Sequence, residues 1–87
     1  MTKDEKVLEA LRLTSTASDR WGGWVTSEEV DEHGSEVGLE VDNIGRTVHI
    51  TDLERLHSQE QAERRFVRSG LMPYKWRETL WQFRPVH

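Results

Sequence analysis

Six cations in the last quarter of the chain, Arg64, Arg65, Arg68, Lys75, Arg77 and Arg84, are opposed by a single acid, Glu78. Guanidinium and ammonium groups at that density suit phosphate oxygens, which arginine can grip bidentately. The same stretch holds Phe66, Trp76, Trp81 and Phe83, rings that either enter a core or stack on bases. The rest of the chain has the opposite sign. Up to Gly45 there are four basic residues against eleven acids, and beyond it eight against five, within a net charge of −4. One face should therefore repel polyanions and another attract them.

Other chemistries find less support. The histidines, His33, His49, His57 and His87, form no short ligand motif, and His49 and His57 are too far apart for adjacent turns of one helix. No metal or other cofactor is expected. Glu28 and Glu29 read as a solvated helix face rather than an acid/base pair. The chain has no cysteine, which excludes disulfides and thiolate chemistry. Without a phosphate loop, a G-x-S-x-G elbow or a core large enough to shield a reaction, an enzyme is not expected. No run reaches the ~18 apolar residues of a membrane span, and residues 1–20 lack the apolar core of a secretion signal. A soluble, cytoplasmic protein is the expectation, folded as one domain over residues 1–87.

The elements that must position these groups follow from periodicity. Residues 3–13 place Val7, Leu8 and Leu11 at helical spacing, with Thr2 as N-cap. Trp21-Gly22-Gly23-Trp24 marks a bend before a short extended piece at Trp24–Thr26. Thr26 and Glu29 have capping-box spacing for a short helix to about His33, with Val30 inward. Between Gly34 and His57 two readings compete. As a helix, Val41, Ile44 and Val48 share a face but Ile50 and Leu53 do not; as strands, Val37, Leu39, Val41 and then Val48, Ile50 alternate around Gly45. In the strand version Thr51 caps a helix from Asp52 to about Arg68. Otherwise Arg64–Ser69 and Tyr74–Phe83 form a hairpin around Gly70-Leu71-Met72-Pro73. Phe66, Trp76, Trp81 and Phe83 are expected to pack on the first helix, and Trp21 and Trp24 to join the core.

Taken in order, the first helix, G-W-V-T-S-E-E-V, I-G-R-T-V-H-I-T-D-L-E-R-L, E-R-R-F-V-R-S-G and Y-K-W-R resemble a winged helix-turn-helix domain, of the small stand-alone kind found in phages, plasmids and bacterial regulators. The resemblance spans nearly the whole chain and implies an α+β fold: three helices, a small antiparallel sheet and a C-terminal β-hairpin wing. It implies a recognition helix at about Val41 to His57, with Val41, Ile44, Val48 and Leu56 inward. Asn43, Arg46, Thr47 and His49 would then face a DNA major groove. The wing would offer Arg64, Arg65, Arg68, Lys75 and Arg77 to phosphates or the minor groove.

The expected function is sequence-specific binding of double-stranded DNA by a small transcriptional regulator or a phage or plasmid accessory factor, a homodimer if its site is palindromic. An alternative rests on Glu28, Glu29, Asp31, Glu32, Glu36, Glu40 and Asp42, which crowd the helix-turn-helix segment. There the domain would bind a basic protein partner through its acidic face. Binding of single strands or RNA by exposed hairpin aromatics is a third reading.

Overall fold

The computed structural model describes residues 1–18, 21–66 and 81–86, with Trp21 described by its backbone alone. Within them lie three helices, α1 (Lys3–Ala17), α2 (Ser27–Glu32) and α3 (Ile50–Ser58), and two strands, β1 (Ala62–Phe66) and β2 (Trp81–Pro85). The domain is α+β, with its antiparallel sheet near the C-terminus. None of the described helices is long and apolar enough to cross a membrane.

α1 starts in a capping box, with Thr2 Oγ1 accepting from Glu5 N and the Glu5 carboxylate reaching back to Thr2 N. Asp4 and Glu5 add negative charge where the helix dipole favours it. The buried residues Val7, Ala10, Leu11 and Thr14 recur at i, i+3, i+4 and i+7, which is one helical stripe. The helix continues beyond residue 13 because Thr14 satisfies its hydroxyl on Ala10 O at 2.7 Å and so turns inward without an unpaired polar atom. The bend at Trp21–Gly23 needs Gly23, whose φ is +86° and where a Cβ would lie 2.5 Å from Ser15 Oγ. Ser15 Oγ instead donates to Gly23 O at 2.7 Å, tying the bend to α1.

Val25 then exchanges two backbone hydrogen bonds with Phe83 at 2.9 and 2.8 Å, forming a one-residue bridge on the outer side of β2. α2 follows at once, with the Thr26–Glu29 capping box read from the sequence and Val30 buried. The core joins Val7, Ala10 and Leu11 of α1 to Val25, Val30, Leu39, Val48, Leu53 and Leu56, closed by Ala62 of β1 and Phe83 of β2.

The expected helix from Val41 to His57 is corrected here: α3 begins at Ile50. Residues 42–46 instead close a tight turn, with Asp42 N donating to Arg46 O at 2.9 Å and Gly45 N to Asp42 O at 3.1 Å. The Asp42 carboxylate accepts from Ile44 N and Arg46 N, each at 3.0 Å. A short acid that captures the amides two and four residues on competes directly with helical hydrogen bonding, and Gly45 takes φ +82°. Val41 and Ile44, expected inward, are therefore 61% and 73% exposed, while Val48 and Leu56 are buried as expected. The strand reading of residues 37–50 does not hold either, since none of them lies in β1 or β2. Nor does α3 run to Arg68. Glu60 adopts φ +61°, and Gln61 N and Glu60 N bond back to Leu56 O and His57 O at 2.9 and 3.0 Å, a left-handed helix stop.

Candidate nucleic-acid interface

β1 and β2 pair antiparallel with Glu63 opposite Arg84, Arg64 opposite Phe83, Arg65 opposite Gln82 and Phe66 opposite Trp81. Opposed residues share a face of the sheet. One face therefore carries Ala62 and Phe83 into the core, with Arg64, Phe66 and Trp81 at its rim. The other carries Glu63, Arg65, Gln82 and Arg84.

On this second face the cations are held in place. Trp24, immediately before the inward Val25, points the other way and meets both guanidinium groups: Arg65 lies 4.6 Å and Arg84 4.5 Å from its ring. Arg65 Nε donates to Gln82 Oε1 at 2.8 Å, and Arg84 is paired with the Glu63 carboxylate and donates to Gly22 O at 3.4 Å. At the rim of the first face Arg64 is exposed and lies 4.8 Å from the Trp81 ring, which Phe66 meets edge-on at 5.0 Å. Phe66, expected in the core, is 49% exposed. An open groove of about 610 Å³ runs beside β1, lined in part by Trp24, His57, Arg64, Arg65 and Val86. His57 Nδ1 lies 3.1 Å from Ala62 O and fixes the end of α3 to the start of β1.

The expected major-groove residues are dispersed. Asn43 lies exposed in the 42–46 turn. Arg46 is half-buried beside it, close enough for its charge to favour ionised Asp31. Thr47 is 8% exposed. Its hydroxyl donates within 2.8–2.9 Å of Asp31 O and Oδ1, while the Asp31 carboxylate also accepts from Thr47 N and Val48 N. Burial alone would raise the Asp31 pKa, but these hydrogen bonds from Thr47 and Val48 outweigh it and hold the carboxyl below its ordinary value. Thr47 is thus spent in docking the loop onto α2. His49 sits just ahead of α3, its ring paired with the Asp42 carboxylate. The Arg46 backbone N–H, and after it the His49 ring, hold Asp42 down at about 2.

α3 itself turns Thr51, Glu54, Arg55 and Ser58 toward solvent or the half-buried rim. Arg55 is engaged by Asp4 at 2.9 Å and by Asp52 at 2.7 Å, so it locks α3 to α1. These hydrogen bonds from Asp4 and Asp52 raise the Arg55 pKa. Among the described residues no group of three or more His, Asp or Glu could hold a metal ion.

Of the expected wing cations, Arg64 and Arg65 are brought together on β1, whereas Arg68, Lys75 and Arg77 lie outside the described residues. Arg84 and Trp24 belong to the cluster although the sequence reading left them out of the site. Strand alternation held the signal: an inward Val25 implies an outward Trp24, and an inward Phe83 an outward Arg84. Comparison with family models, with curated proteins and with solved structures finds no match to this chain.

Proposed function

We propose that this chain is a winged helix-turn-helix domain that binds double-stranded DNA chiefly through its C-terminal hairpin, as a small transcriptional regulator or a phage or plasmid accessory factor. The observation that supports it most is the Val25–Phe83 bridge. It sets a one-residue extended bridge between α1 and α2 against β2, so that helix, bridge, helix, helix, strand and strand follow in the order a winged helix-turn-helix calls for. The basic character of that hairpin supplies the second argument. Arg64 is exposed, Arg65 is held over Trp24 without a carboxylate partner among the described residues, and the connecting sequence adds Arg68, Lys75 and Arg77. Cations already immobilised by packing lose little side-chain entropy when they meet phosphates.

The weight of binding falls on the phosphate backbone in this reading. The solvent face of α3 carries Glu54 and an Arg55 committed to two carboxylates, and the Thr47 hydroxyl is turned inward. Base contacts are left to Thr51 and Ser58 on α3. The test is retention of the full-length protein on a random pool of short duplexes at two salt concentrations, followed by sequencing. Retention that falls steeply with salt supports the reading, and an enriched motif in the retained pool measures how much sequence is read. No retention even at low salt refutes it.

A further inference from the structure

The loop between α2 and α3 displays two branched aliphatics where folding gains nothing from them. Ile44 is 73% and Val41 61% exposed. They are not carried on a floppy segment. One carboxylate, Asp42, fixes Ile44 N and Arg46 N, and Asp42 N closes the turn on Arg46 O. Beyond the turn, Asp31 fixes Thr47 N and Val48 N. Beneath Val41 lies an open depression of about 380 Å³, lined by Lys3, Lys6, Leu39, Glu40, Val41 and Asp42. Of its two lysines, Lys3 is paired with Asp52 at 3.6 Å and Lys6 donates to Gly38 O at 3.3 Å, which leaves the depression itself to an apolar group and the rim acids to a cation.

We infer that the Val41–Ile44 loop, with the depression beside it, is a docking surface for a basic protein segment that presents an apolar side chain. Charge complementarity selects that occupant. From Glu28 to Asp42 the chain has seven acids and no lysine or arginine. Glu32, Glu36 and Glu40 in that stretch are exposed, and Asp42 is ionised at any ordinary pH. A polyanion is repelled from this surface. A segment pairing arginine or lysine with leucine or phenylalanine satisfies both features, the apolar group covering Val41 and Ile44 and the cation meeting Glu40 at the rim. A rigid loop that needs no ordering on association lowers the entropic cost of such a contact. The inference does not rest on DNA binding by the hairpin.

The test is selection of a displayed random peptide library on the full-length protein, counter-selected against a Val41→Ser/Ile44→Ser variant whose folding is checked by circular dichroism. The expected result is enrichment of peptides that combine Lys or Arg with Leu or Phe. Their affinity should fall about tenfold against Ile44→Ser alone and weaken as salt rises. Failure to enrich, enrichment of acidic peptides, or binding indifferent to both substitutions overturns the proposal. Two further results would overturn it by naming another occupant: self-association abolished by Ile44→Ser, or duplex binding lost with Ile44→Ser.

Discussion

Gly34 occupies a place where its lack of a side chain, and not its backbone freedom, is required. Its φ of −62° and ψ of −41° are ordinary helical values, and at such a position Gly→Ala alone stabilises a protein by about 0.4–1 kcal/mol through the unfolded chain. Here a Cβ would meet Thr47 Oγ1 at 1.8 Å, Thr47 Cβ at 2.5 Å and Cγ2 at 3.3 Å. Relief demands that Thr47 move, and Thr47 is held by its hydroxyl to Asp31 O and Oδ1 at 2.8 and 2.9 Å. Overpacking costs about 1–3 kcal/mol, and the one bifurcated hydrogen bond put at risk, shared with a carboxylate, is worth about 1.5–2 kcal/mol. The helix-propensity gain cannot offset that, so Gly34→Ala should destabilise the domain by about 2–4 kcal/mol. For a chain of this size the midpoint of thermal unfolding should drop by roughly 10–25 °C. Urea and thermal unfolding followed by tryptophan fluorescence measure it. In a Thr47→Gly background, where the three clashing atoms are gone, the same Gly34→Ala change should be neutral or stabilising. A Gly34→Ala protein as stable as the parent, or equally damaged in both backgrounds, would refute the steric account.

Asp42 and Asp31 both have folded-state pKa values below their ordinary ones. Their stabilisation is therefore complete above the unfolded-state value near pH ~4 and is lost as pH falls toward the folded values. Unfolding midpoints should decline between pH 4 and about 2, the folded value of Asp42, and Asp42→Asn should flatten that decline, which a pH series of urea titrations reads directly. Glu60 holds a left-handed φ of +61° in an exposed position, so Glu60→Gly should stabilise by about 0.5–1 kcal/mol, visible as a higher melting temperature. Phe83 is fully buried and is the largest such side chain among the described residues. Phe83→Ala should cost about 3–5 kcal/mol, enough to abolish cooperative unfolding in calorimetry. Arg64→Ala should weaken duplex binding across all sequences and reduce the salt slope by about one unit. Arg55→Ala, which removes a cation already paired within the fold, should leave that slope unchanged in the same titration.

The elements legible in the sequence were those whose hydrogen bonding is local. The Thr2 N-cap and the Thr26–Glu29 capping box each stand where the spacing put them, because a cap is written in three or four consecutive residues. The stretch from Gly34 to His49 was not legible, because its conformation is set by groups sixteen and seventeen residues away, Asp31 reaching Thr47 and Val48. An apolar pattern of Val41, Ile44 and Val48 fits helical spacing whether or not the backbone is helical. The deciding residue was Asp42, whose carboxylate captures the turn amides, and no periodicity records that. Trp24 shows the same limit at the interface. Two flanking glycines say that the chain bends there, but only the bridge between Val25 and Phe83 determines that the indole falls between Arg65 and Arg84.

Three of the seven acids between Glu28 and Asp42 are occupied with holding the fold. Glu29 closes the cap of α2, Asp31 receives the loop and Asp42 shapes the turn. An ionised carboxylate surrounded by N–H donors presents a weaker field to solvent than its formal charge implies, whereas Glu32, Glu36 and Glu40 stand exposed and keep theirs. The cations are divided in the same way. Arg55 and Lys3 are paired with acids across α1 and α3, while Arg64 is stacked on Trp81, an attraction that leaves its charge uncancelled. Arg65 is likewise held by a ring and a neutral amide. A guanidinium immobilised by aromatic faces is a stronger phosphate ligand than one immobilised by a carboxylate, because the incoming phosphate need not displace a competing anion. The stacking of Arg64 and Arg65 on tryptophan, set against the carboxylate pairing of Arg84 with Glu63 on the sheet and of Arg55 with aspartates between the helices, therefore separates the cations able to meet a polyanion from those that only hold the domain together.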